Sequence, residues 1–102
     1  MAQFTAYYNE RGGEDAIPYL LDVQSDWVET GSRVVVPLVR RLRYGPLYSR
    51  LNPVFTISDT EVVMATSDLA AIDAQELRRP VADLHAGRSV IMMALDFLLL
   101  GY

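Results

Sequence analysis

Three groups of side chains in this 102-residue sequence are of the types that chemistry uses: the single histidine, a serine among carboxylates, and a run of arginines. His85 is the only histidine, and it sits at an expected helix entrance, where a capping or exposed role is commoner than acid–base work. A hydrolase needs a base, a nucleophile and an oxyanion site together. Ser25, with Asp22 and Asp26 beside it, has the composition of a nucleophile with acidic helpers. A serine next to carboxylates at a strand end more often organises a turn. There is no cysteine, so thiol nucleophiles, disulfides and thiolate metal sites are absent. One histidine and scattered carboxylates give no metal-ligand spacing, and Gly12-Gly13 lacks the flanks of a phosphate loop. The expectation is a protein that is not an enzyme and uses no metal or cofactor. Binding is the better class.

The third group lies between Val39 and Leu51. Arg40, Arg41, Arg43 and Arg50 occur there with no acid among them, interleaved with Tyr44 and Tyr48. Such a segment suits phosphates or carboxylates; a solvated excursion between strands is the plainer alternative. Every basic residue in the chain is an arginine, and the net charge is −4.

The end of the chain is the other candidate surface. From Val90 to Leu100 only Asp96 is polar, and Met, Ala and Leu favour helix. At about 1.5 Å per residue this run is too short to cross a bilayer of roughly 30 Å. A helix apolar on nearly every side must be covered on nearly every side. The preceding residues can cover one face; a second face needs a partner subunit or a target. Helical spacing puts Asp96 on one face with Met92, Met93, Leu99 and Leu100, unless it only marks the solvent side of a core helix.

The elements that position these residues are mostly strands. Gln3–Asn9, Tyr19–Val23, Arg33–Leu38, Val54–Ile57 and Glu61–Met64 are rich in β-favouring residues. Arg11–Asp15 and Ser58–Thr60 supply turn signals between them. The continuous apolar run before Pro37 predicts burial on both faces, with Pro37 at an edge, a bulge or a strand end. Asp68–Ile72 is expected as one helical turn or an irregular crossing. The final helix starts between Asp83 and Ser89, either of which can cap it. The prediction is one α+β domain over residues 1–102, a small curled antiparallel sheet of about five strands with a C-terminal helix. No signal or membrane segment is expected, which makes the cytoplasm the default location.

Six segments in register resemble the CcdB family, toxins of bacterial toxin–antitoxin pairs. They are Leu21-Asp22-Val23-Gln24-Ser25-Asp26, Val35-Val36-Pro37-Leu38, Leu51-Asn52-Pro53-Val54, Thr66-Ser67-Asp68-Leu69-Ala70, Val81-Ala82-Asp83-Leu84 and the Gly101 ending. The match runs from Gln3 to Tyr102. The resemblance implies an SH3-like sheet or barrel with a C-terminal helix, as in the CcdB and MazF toxins, and a homodimer with its helices near the two-fold axis. It implies binding to the A subunit of DNA gyrase, trapping of the cleaved-DNA complex, and neutralisation by a CcdA-like antitoxin with a disordered arm. Toxin and antitoxin together would repress their own operon, with DNA contacted through the antitoxin. By position, the gyrase-facing residues are Trp27, Val28, Asp96, Leu99, Leu100, Gly101 and Tyr102. The family has a tryptophan where this chain has Leu100, and an asparagine where it has Asp96. The arginines at 40, 41, 43 and 50 are the expected antitoxin-binding residues. Two alternatives stand beside this function: an endoribonuclease of the MazF kind using the same arginines, and a regulator that binds antitoxin without poisoning anything.

Overall fold

A computed structural model describes residues 2–12 and 15–102. Gly13 and Glu14, in the expected Arg11–Asp15 turn, lie outside the described residues. Seven strands form one curled antiparallel sheet: β1 (Thr5–Tyr8), β2 (Tyr19–Asp22), β3 (Ser32–Arg40), β4 (Val54–Ile57), β5 (Thr60–Met64), β6 (Ala70–Asp73) and β7 (Pro80–Asp83). A single helix, α1 (Arg88–Leu100), closes the chain. The fold is the expected α+β half-barrel with a C-terminal helix.

β3 is the spine. It pairs with β2 along Val35–Leu38 on one side. On the other side it pairs with β6 along Ser32–Val35 and with β5 along Leu38–Arg40. Pro37 falls at the changeover from β6 to β5, where its carbonyl accepts the Ala65 N–H at 3.0 Å. Pro37 thus lies inside a central strand, not at the expected edge, bulge or strand end, and its missing donor faces the gap between partners. Both faces of β3 are used, as its apolar run predicts. Val36 and Leu38 join the main core with Phe4, Ala6, Leu21, Ile57, Val62, Met64 and the helix residues Ile91, Ala94 and Leu95. Val35 packs on the opposite face with Tyr7 and Leu77.

The strand count of about five, the crossing at Asp68–Ile72 and the helix caps need correction, the sheet having seven strands among the described residues. The expected crossing at Asp68–Ile72 is a 3-10 turn (Thr66–Asp68) followed by β6, which takes its hydrogen bonds from the exposed edge of β3. Pro80–Asp83 is also a strand, paired with β1, with the proline at its first position where no donor is needed. Neither Asp83 nor Ser89 caps α1. Asp83 Oδ1 accepts the His85 N–H at 2.9 Å ahead of a 3-10 turn (His85–Gly87) whose N-cap is Leu84, while Ser89 lies inside the helix. Gly87 holds the N-cap position without a side-chain bond; a Cβ there would meet Phe55 Cε1 at 3.1 Å, so a larger residue would require that ring to give by a few tenths of an ångström.

The β4–β5 hairpin forms where expected, with a two-residue loop because Thr60, expected in the turn, is the first residue of β5. Ile57 pairs with Thr60, and Ser58 and Asp59 both take left-handed φ angles, 50° and 63°. That twist matches the flanking strands.

Candidate protein-interaction surfaces

α1 buries Ile91, Ala94 and Leu95 against the sheet. The residues on its opposite side remain in solvent: Val90, Met92, Met93, Asp96, Leu99 and Leu100. Spacing divides this exposed side into two rows, Val90–Met93–Phe97 and Met92–Asp96–Leu99, with Leu100 between them. Met93 is 54% exposed and Leu100 59% exposed, values far from those of core residues. The helix ends on Gly101, whose φ of 81° and N–H bond to the Phe97 carbonyl (3.0 Å) form a left-handed C-cap. Tyr102 follows, exposed. The structure thus brings Asp96, Leu99, Leu100, Gly101 and Tyr102 together at one tail.

Trp27 and Val28 sit on a different element, the loop from β2 to β3. Trp27 is 96% exposed, an unusual position for so large an apolar ring. Ser25 Oγ accepts the Trp27 N–H at 3.2 Å, so the serine singled out for its carboxylate neighbours organises a turn. Asp22 and Asp26 are occupied too, by Arg33. The Arg33 guanidinium meets Asp22 Oδ2 at 2.8 Å and Asp26 Oδ1 at 3.1 Å, and donates to the Gln24 carbonyl at 3.0 Å. Asp22 is 0% exposed and Arg33 6% exposed. Burial pushes the Asp22 carboxyl above its ordinary range, against the hydrogen bonds from Arg33 and the Gln24 N–H that hold it down. This buried pair fixes the start of the loop that presents Trp27. It was missed as a cluster, although an arginine heading the apolar run of β3 and an aspartate ending that of β2 were its signal.

His85 stands apart from these groups. Its ring is tilted against Phe4 at 5.8 Å between centroids, beside the 3-10 turn that leads into α1.

The arginine segment does not act as one patch. β3 extends two residues beyond the expected Leu38, so Arg40 is a strand residue opposite Val62. Arg40 donates to the Asp15 carbonyl at 2.9 Å, and Arg43 lies 3.8 Å from the Asp15 carboxylate. Arg41 and Leu42 border a groove shared with Asp59, Thr60 and Glu61. Arg50 leaves this group: its guanidinium sits 4.7 Å over the Phe97 ring of α1. The segment has no acid in its own sequence, but the fold brings acids to it. Its remaining anchor is Asn52, buried, which donates to the Met64 carbonyl at 3.0 Å and accepts the Tyr48 N–H at 3.1 Å.

These elements make a curled antiparallel half-barrel with one terminal helix, an exposed apolar tail and an exposed tryptophan loop. The chain belongs to the CcdB family: the family described as CcdB protein matches residues 3–101, nearly the whole length. Membership makes it a toxin of a toxin–antitoxin system. A search of curated proteins returned no match. Among the described residues, no cluster of three potential metal ligands occurs, and no helix is long and apolar enough to cross a membrane.

Proposed function

We propose that this chain is a homodimeric toxin that poisons DNA gyrase by binding, without catalysing a reaction of its own. Its tail and tryptophan loop engage the A subunit and hold the cleaved-DNA complex. The observation that carries this reading is the solvent-facing end of α1, where Leu99, Leu100 and Tyr102 project apolar area around an Asp96 carboxylate. Large exposed apolar and aromatic groups of this kind are the usual anchors of protein interfaces. The two rows of the exposed helix side suit two uses. Val90, Met93 and Phe97 would meet a second copy of the chain, and Met92, Asp96 and Leu99 would meet the target.

Neutralisation would fall to a disordered antitoxin arm lying over the arginine segment, with the antitoxin also supplying the DNA contact for autoregulation. Arg41 and Arg43 are exposed and suit charge-assisted contacts to acidic side chains. The endoribonuclease alternative draws less support: Asp15, Asp59 and Glu61 stand beside these arginines and would repel a uniformly charged phosphate backbone, whereas a peptide can set single acidic residues against Arg41 and Arg43. The test is incubation of the pure protein with gyrase and supercoiled DNA, and separately with RNA. Accumulation of gyrase-linked cleaved DNA and intact RNA is expected. Cleaved RNA with no trapped DNA would overturn the proposal.

A further inference from the structure

The groove beside the arginine segment has a volume of 330 Å³ and carries residues of both charges. Its lining is Arg40, Arg41 and Leu42 from the end of β3 and the residues after it, and Asp59, Thr60 and Glu61 from the β4–β5 hairpin. The pairing of Arg40 with Val62 sets these two stretches next to each other at the end of the sheet. Arg40 is engaged by the Asp15 carbonyl. Among the described residues, Arg41, Asp59 and Glu61 enter no ion pair, although they line one groove. Leu42 is 97% exposed at the same place. The acidic part of the lining is held in shape by the left-handed turn at Ser58 and Asp59, closed by the pairing of Ile57 with Thr60.

Opposite charges that face a common groove without closing on each other, beside a fully exposed leucine, complement a ligand carrying both charges about an apolar centre. We propose that this groove binds a peptide segment of a partner protein that presents an acidic residue to Arg41, an apolar side chain to Leu42 and a basic residue to Asp59 and Glu61. The inference rests on the reading of the arginine segment as the seat of an antitoxin arm, and it sharpens that reading: the stretch seated here is of mixed charge. A uniformly acidic stretch would meet Arg41 favourably but bring like charges within a Debye length, about 10 Å at 0.1 M salt, of Asp59 and Glu61. Mixed charge gives selectivity through repulsion of wrong partners as well as attraction of the right one.

The test uses the whole protein and capped pentapeptides, followed by NMR at low salt: Glu-Gly-Leu-Gly-Arg, its reversed order, and the all-acid Glu-Gly-Leu-Gly-Glu. One of the mixed-charge peptides is expected to shift the Arg41, Leu42 and Glu61 signals and to bind at least threefold more tightly than the all-acid peptide. The Asp59→Asn, Glu61→Gln double variant, altered only at exposed positions, should erase that preference. Arg41→Gln should weaken both kinds of peptide. Equal or tighter binding of the all-acid peptide, or no shift at these residues with any peptide, overturns the proposal. A failure of the antitoxin reading itself is seen separately, as undiminished binding of the natural antitoxin to Arg41→Gln and Arg43→Gln proteins.

Discussion

Replacing Arg33 by Met isolates the contribution of the buried ion pair beneath the tryptophan loop. Methionine keeps a long apolar stem, so the site stays filled. What disappears is the guanidinium that meets Asp22 Oδ2 at 2.8 Å, Asp26 Oδ1 at 3.1 Å and the Gln24 carbonyl at 3.0 Å. Asp22, 0% exposed, is left with the Gln24 N–H at 3.1 Å as its remaining partner. Removing one member of a buried pair costs about 3–5 kcal/mol, against a total stability of roughly 5–15 kcal/mol for a domain. With a urea slope of about 1.5 kcal/mol per M, the unfolding midpoint falls by about 2–3 M. The loss depends on pH in a defined sense. Burial already raises the Asp22 carboxyl, and the variant removes a group that opposed this rise. A carboxyl raised above its unfolded value of about 3.9 holds its proton more tightly in the folded state. Its stabilising contribution is complete below that unfolded value and is lost as pH rises through the folded one. The gap between variant and wild type is therefore widest at pH 7 and narrows toward pH 4. Urea titrations monitored by tryptophan fluorescence and far-UV circular dichroism at both pH values measure it. A loss below 1 kcal/mol at pH 7, or one equally large at pH 4, would refute the assignment of this pair as the anchor of the loop.

Three further outcomes follow from the surfaces. Arg50→Ala uncovers Phe97 and loosens the last turn of α1, with a stability loss of about 0.5–1 kcal/mol and faster amide exchange near the tail; unchanged exchange would show that the cation above the ring holds nothing. Met93→Glu places a charge in the row offered to a second copy, so sedimentation should shift from dimer to monomer at micromolar concentration. A wild-type protein that is already monomeric there would remove the dimer from the account. His85→Ala should leave growth arrest intact, because the ring rests against Phe4 and its backbone N–H serves a turn; lost toxicity in a folded protein would reopen catalysis.

The elements with period-two patterning and strong turn residues were legible from the sequence. Val54–Ile57 has the expected boundaries, and the Ser58-Asp59 turn fixes its register with β5. β6 was not legible because Ala70, Ala71 and Asp73 are exposed and show no alternation; the edge of β3 makes them a strand. β7 was hidden behind Pro80, a residue that disqualifies a central strand but not an edge. The exposed side of α1 could be drawn because helical spacing alone places Asp96 with Met92, Met93, Leu99 and Leu100. The arginine segment misled in one respect. Adjacency in sequence suggested a single cationic patch, whereas packing sends Arg50 to Phe97 and brings Asp15 to Arg40 and Arg43. The Asp22–Arg33 pair had a signal in an aspartate ending one apolar run and an arginine heading the next, but the contact itself is made only by the pairing of β2 with β3.

The central claim is that the helix tail and the Trp27 loop bind gyrase although Leu100 stands where the family has a tryptophan. Trp27 and Tyr102 would then supply the aromatic area that a tryptophan at position 100 gives, and buried rings often dominate such interfaces. Calorimetric titration with the N-terminal domain of the gyrase A subunit tests this most directly. Wild type is expected to bind, Trp27→Ala and deletion of Gly101 and Tyr102 each to weaken binding at least tenfold, about 1.4 kcal/mol, and Leu100→Trp to strengthen it. Wild-type binding unchanged by either loss would put the surface elsewhere on the molecule, and no binding by wild type or Leu100→Trp would contradict gyrase as the target.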